Sequence, residues 1–196
     1  MGQLETNTGP KVKWGLAIHG GVGVLSREDL TPELERGYLD ALSSSLEAGY
    51  GAMERGGAAV DAVVEAIKIM EDSDLFNAGR GSNFTSEGVV SMDASIMVGE
   101  TLEAGAVAGV TDVRHPIRLA RHVMGDCPHV MLSGQGAETF ARQMGMPREA
   151  PDYFFTQRRW DDLQAAKARE AEGGSRPNTV DTEEAQGRAA GAEPPG

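Results

Sequence analysis

Leu75-Phe76-Asn77-Ala78-Gly79-Arg80-Gly81-Ser82-Asn83-Phe84, LFNAGRGSNF, is the stretch on which the reading of this chain turns. Two glycines around an arginine, with an asparagine on either side, specify a tight loop built to hold something. Before it, Ala58 to Met70 repeats Val60, Val63, Val64, Ile67 and Met70 along one face, which predicts a helix. After it, Val89 to Met97 and Ala104 to Val110 read as strands, and the short connection Gly99-Glu100-Thr101-Leu102 makes them antiparallel neighbours. Gly79 sits where the turn calls for a positive φ, which a β-branched side chain could not adopt.

Upstream of that frame, Trp14-Gly15-Leu16-Ala17-Ile18 is a short apolar run stopped by His19-Gly20-Gly21-Val22-Gly23, a buried strand entering a glycine turn. Thr31-Pro32-Glu33-Leu34 then supplies a cap, a proline at the first helical position and an early acid. Leu34, Tyr38, Leu42 and Leu46 recur on one face of that helix, which Gly56-Gly57 closes. Downstream, Pro116 to Met124 predicts a helix, Val130-Met131-Leu132 a short strand, Gly136 to Met144 a helix and Gln157 to about Ala171 a charged helix. Helices before and after a hairpin, without the βα alternation of a doubly wound sheet, place the chain in the α+β class.

At 196 residues and 40% hydrophobic content the chain can bury one core of ordinary size. The segments divide as a loose arm over 1–12, a folded part over 13–170, and a linker over 171–196 that is nearly devoid of aliphatic side chains larger than alanine and cannot repay its ordering entropy. A net charge of −12, with no basic block larger than Arg158-Arg159, argues against nucleic acid and anionic lipid as partners. The single cysteine, Cys127, excludes an internal disulfide and a multi-thiolate zinc site. No apolar run approaches a membrane span and no signal-peptide core opens the chain, so a soluble, cytoplasmic protein is expected. Met1-Gly2-Gln3-Leu4-Glu5-Thr6 fits the permissive myristoylation pattern, but Glu5 and the missing polybasic segment argue against it.

Familiar nucleotide and nucleophile motifs fail on their own spacing. From Gly21 and Gly23 the third glycine of a dinucleotide fingerprint is replaced by Ser26, and from Gly79 and Gly81 by Phe84. His19, His115, His122 and His129 lack paired metal-ligand spacing and read as ordinary surface histidines. Gly81-Ser82-Asn83 lacks the final glycine of a nucleophile elbow. A Ser-His-Asp triad stays open, since order in sequence does not decide it.

The segments AIHGGVG, AAVDAVVEAIKIMED, LFNAGRGSNFTSEGVVSMDASIMVGETLEAGAVAGV, HPIRLARHVM and PHVMLSGQGAETFA together resemble, in order and spacing from about Trp14 to Ala166, the α subunit of the plant-type L-asparaginases, the isoaspartyl peptidases. The resemblance implies an αββα sandwich of the N-terminal nucleophile hydrolase type, completed by a separate β subunit. It implies a precursor that cuts itself between a glycine, here Gly196, and a threonine that becomes the β-subunit nucleophile. A threonine hydroxyl is a weak nucleophile until its own freed α-amino group can take its proton. Asn178-Thr179-Val180-Asp181 offers an internal rival to that junction, but a polar tail rather than a strand follows it.

The implied activity is hydrolysis of β-aspartyl dipeptides and L-asparagine by an (αβ)2 heterotetramer without an organic cofactor, the substrate-clamping residues lying on β. The resemblance also implies a structural sodium ion held by the main-chain carbonyls of Met70, Glu71, Ser73, Phe76, Ala78 and Arg80. Asn77 matches the asparagine that orients the nucleophile, and Gly20 and Gly21 match the HGG loop beside the active centre. Alternatives are a related threonine hydrolase, glycosylasparaginase-like or threonine-aspartase-like, and a non-catalytic binding protein on the same scaffold.

Overall fold

A computed structural model describes residues 14–21 and 30–172. The arm over 1–12, Val22, Gly23, Asn178 to Asp181, the linker from 173 onward and the Gly196 junction lie outside the described residues.

The first helix, α1 (Pro32–Glu54), starts where its local chemistry says it should: the Thr31 hydroxyl accepts from Leu34 N–H at 3.2 Å and Pro32 occupies the first turn. It ends in a Schellman motif, with Gly57 N–H donating to Ala52 O at 3.0 Å, Gly56 N–H to Met53 O at 2.9 Å, and Gly56 at φ +83°. Then comes α2 (Ala59–Asp72), whose Asp61 carboxylate accepts from Ala58 N–H at 3.1 Å. The two helices pack through small residues rather than leucines. Ser45, Gly49 and Ala52 are the buried positions of α1, Ser45 Oγ donates to Ala66 O at 2.7 Å, and a Cβ on Gly49 would lie 2.9 Å from Ala62 O. The leucine stripe therefore rotates away from the seam: Leu46 is exposed and, with Trp14, Leu16 and Tyr50, lines an apolar groove.

After the loop and a 3-10 turn over Gly79–Gly81, β1 (Met92–Met97) pairs antiparallel with β2 (Ala104–Val110). One extra residue on β2 makes a bulge, with Gly109 at φ +66° and its N–H donating to Asp93 Oδ1 at 2.8 Å. The chain crosses through α3 (Pro116–Asp126) to β3 (Met131–Ser133), which pairs parallel with β2. One βαβ unit thus stands where the sequence pattern suggested none, because β3 is too short to announce a crossover. Next come α4 (Gly134–Gln143), the unforeseen short α5 (Pro151–Phe154) and α6 (Gln157–Ala171).

The core lies under one face of this sheet. Ile117, Leu119, Ala120 and Val123 of α3 join Met92, Ile96, Val107 and Val110 of the hairpin, with Ala137, Ala141 and Phe154 from the later helices. Gly105 permits the closeness, since a Cβ there would collide with the Ala120 carbonyl of α3. The opposite face carries Asp93, Ser95, Met97, Ala104, Ala106, Ala108 and Met131; Met97 and Met131 are 58% and 55% exposed. A solvated sheet face is usually polar, and this one is largely alanine and methionine.

One expectation changes. Trp14–Ile18 forms no strand, because a strand exists only through its ladder and no described strand lies alongside. The described strands form one three-stranded sheet, in keeping with the α+β class. Among the described residues no helix is long and apolar enough to cross a membrane.

Candidate functional site

The Leu75–Phe84 loop is shaped by two close backbone approaches. Gly79 stands at φ +52°, as its place in the turn demands, and its Cβ direction is filled by Glu71, whose Cα would lie 2.6 Å away. Gly81 is pressed against the backbone of Asp74 and Phe76, the Asp74 carbonyl carbon 2.9 Å from where a Cβ would be. Any side chain at either position displaces main chain rather than a movable side chain. The result folds the end of α2 and the 3-10 turn around one another, with the Glu71 and Phe76 carbonyl oxygens facing Gly79 and Gly81.

Loop carbonyls divide into two sets. Those of Asp74 and Leu75 accept from Arg158 Nη2 at 3.1 and 2.9 Å, and that of Gly81 accepts from Arg159 Nε at 2.8 Å. Tyr38 OH also donates to Leu75 O at 3.1 Å. The six carbonyls expected to hold sodium receive none of these side-chain donors. Met70 O and Ala78 O accept one backbone N–H each, from Ser73 and Gly81, and no donor among the described residues reaches those of Glu71, Ser73 or Phe76. Unpaired carbonyls in a glycine-tight cradle at a helix C-terminus suit a hard cation. The residues present therefore fit the ion, and among the described residues no cluster of His, Cys, Asp or Glu side chains offers an alternative metal site.

Asn77 is exposed at the crest of the loop, and its Oδ1 accepts from Asn83 N–H at 2.9 Å, which leaves the amide NH2 to donate outward. The HGG turn comes to the same place. A Cβ on Gly20 would lie 3.2 Å from the Phe76 ring, Gly21 holds φ +114°, and Gly21 N–H donates to His19 Nδ1 at 3.1 Å. Gly20 is thus a neighbour of Phe76, one residue from Asn77, although more than fifty positions separate them in the chain, and Gly21 follows it in the turn.

The loop is anchored from below by groups that sequence reading missed. Glu71 is buried, and its Oε1 accepts the Ile117 N–H at 2.9 Å, capping the start of α3. Its other oxygen lies 3.4 Å from His115 Nδ1. Burial pushes the Glu71 carboxyl above the ordinary carboxylate range, against the opposing pull of His115 and the Ile117 N–H. His115 is therefore a buried partner, not a surface histidine. The next residue, Asp72, accepts from Arg114 Nε and from Tyr153 OH, both at 3.0 Å. Long-range pairs of this kind leave no periodic trace, although two adjacent acids at a helix end were a visible cue.

The family described as asparaginase matches residues 12–192. The chain is 48% identical over 153 residues to the isoaspartyl peptidase of Salmonella typhimurium, covering 78% of this chain and 49% of that protein. It is 46% identical over 152 residues to the isoaspartyl peptidase of Escherichia coli, covering 78% and 47%. It is 45% identical over 148 residues to the plant-type L-asparaginase of Pyrococcus abyssi, covering 76% and 47%. The chain spans about half the length of the curated relatives it matches.

Proposed function

The chain belongs to the asparaginase family, and from that premise we propose that it is the α subunit of an amidohydrolase that cleaves β-aspartyl dipeptides and L-asparagine in the cytoplasm. Its partner in this reading is a β subunit from the same precursor, released by autoproteolysis after Gly196 and paired with it in an (αβ)2 heterotetramer. The observation that carries the reading is the half-built sheet: one face is filled by α3, while the other presents exposed Met97 and Met131 and half-buried Ala104, Ala106 and Ala108 beside Asp93 and Ser95. A sheet face largely of alanine and methionine suits a second sheet packed against it. The Trp14–Ile18 segment, without a strand partner among the described residues, suits the same completion.

The reaction is acyl transfer. A threonine at the start of β attacks the substrate's side-chain amide carbon, its α-amino group taking the hydroxyl proton, and donors on β hold the oxyanion. The amine leaves, and water then releases aspartate from the acyl-enzyme. Asn77 contributes a non-titrating amide held by Asn83 N–H, positioned to orient the threonine hydroxyl. Gly20 adjoins the loop at the Phe76 ring, with Gly21 next to it in the HGG turn. The carbonyls of Met70, Glu71, Ser73, Phe76, Ala78 and Arg80 would hold a sodium ion, which would supply positive charge against their dipoles and steady the loop.

N-terminal sequencing and intact mass of the full-length gene product test this directly. The expected result is two chains, the second beginning with Thr immediately after Gly196. One uncut chain with full activity on β-aspartyl dipeptides would remove the nucleophile assignment.

A further inference from the structure

Helix α6 is strongly polar, and Leu163 is its only buried residue. Its attachment to the body is concentrated on the loop and the turn that follows. Trp160 packs edge-on to Phe84 with ring centroids 5.4 Å apart, and Gly88 lies under its indole, where a Cβ would be 3.4 Å from Cζ3. Arg158 donates from one guanidinium to three oxygens: Nη2 to Asp74 O and Leu75 O, and Nη1 to Tyr38 OH at 3.1 Å. Arg159 donates to Gly81 O from the other shoulder. Asn77 lies between the two points of support. A planar guanidinium spans neighbouring carbonyls in a way that an ammonium cannot.

We propose that Arg158 and Arg159 are positioning residues, which set the shape of the Leu75–Phe84 loop and thereby hold the Asn77 amide in register with the reacting atoms. The inference rests on the reading of this loop as the border of a catalytic centre. It assigns the adjacent basic pair, whose place in the sequence suggests only a solvated charge, to the chemistry of a loop more than seventy residues earlier. The division of labour follows from the carbonyls: the arginines take up those of Asp74, Leu75 and Gly81, and no side-chain donor among the described residues takes up those proposed to hold the cation.

The test uses Arg158→Lys, Arg159→Lys and Tyr38→Phe in the full-length protein, with two readouts. Hydrogen exchange at the Asn83 amide, which Asn77 holds, should quicken roughly tenfold in Arg158→Lys while the melting temperature stays near the parent's. Turnover of β-aspartyl dipeptide should fall roughly tenfold, the loss expected for one mispositioned hydrogen bond, with KM changed less than about twofold. Tyr38→Phe should move both quantities in the same direction by a smaller factor. Parent-like exchange and turnover in both Arg→Lys variants would overturn the proposal. So would a raised KM at unchanged kcat, which would mark substrate binding instead. If the parent protein itself leaves the dipeptide intact, the proposed activity fails, and the exchange measurement alone then decides whether the arginines shape the loop.

Discussion

Two glycine turns meet beside Asn77, and they need their glycines for different reasons. At Gly79 and Gly81 the space of a side chain is already occupied by the main chain of Glu71, Asp74 and Phe76. At Gly21 no described atom comes within 4 Å of a would-be Cβ, and only the φ of +114° asks for glycine. One turn is fixed by packing of backbone on backbone and the other by a torsion. The first cannot yield without moving α2, and the second can relax locally.

Gly79→Val strikes the packed turn and should have the largest effect, on the order of 3–5 kcal/mol of stability, with loss of activity and of any sodium dependence together. Denaturant midpoints with and without sodium measure it. A harmless Gly79→Val would erase the distinction between the turns and the cradle with it. Asn77→Asp keeps the loop's shape, since a carboxylate can still accept from Asn83 N–H, but removes the outward donor and adds a charge. Self-cleavage or turnover should slow by roughly ten to a thousandfold with little change in melting temperature. Parent-rate maturation and hydrolysis would make Asn77 a turn residue only. Gly21→Ala meets no described atom and faces only the torsional strain of a positive φ, about 1–2 kcal/mol. Thermal unfolding of that variant sharpens the comparison: a cost equal to that of Gly79→Val would mean that the HGG turn is packed as tightly as its neighbour.

Local chemistry was readable from the sequence where it was self-contained. Thr31-Pro32 starts α1 and Gly56-Gly57 ends it because cap and motif are completed within a few residues. The hairpin was legible from two apolar runs and a four-residue connection. Trp14–Ile18 was misread as a finished strand because β propensity says nothing about whether a partner is in reach. Periodicity found the Leu46 face of α1 but not the α1–α2 seam, because that seam is made by the small residues Ser45, Gly49 and Ala52. At the site, the loop announced itself through its glycines and Asn77. The roles of Glu71, His115, Arg158 and Arg159 are long-range, and a charged residue looks the same in sequence whether it meets water or a distant carbonyl.

Glu71 has a consequence for anyone mapping this protein by mutation. Its carbonyl faces Gly79 within the loop, and its carboxylate caps α3 some forty-six positions away. A substitution scan reports one score for that codon, yet two independent requirements are superposed there, only one of which the side chain serves. Alanine at 71 would register as a defect of helix α3 while leaving the loop's main chain chemically intact. Read naively, such a score would credit the side chain with a role in the loop that belongs to the peptide bond, which no substitution among the ordinary amino acids removes.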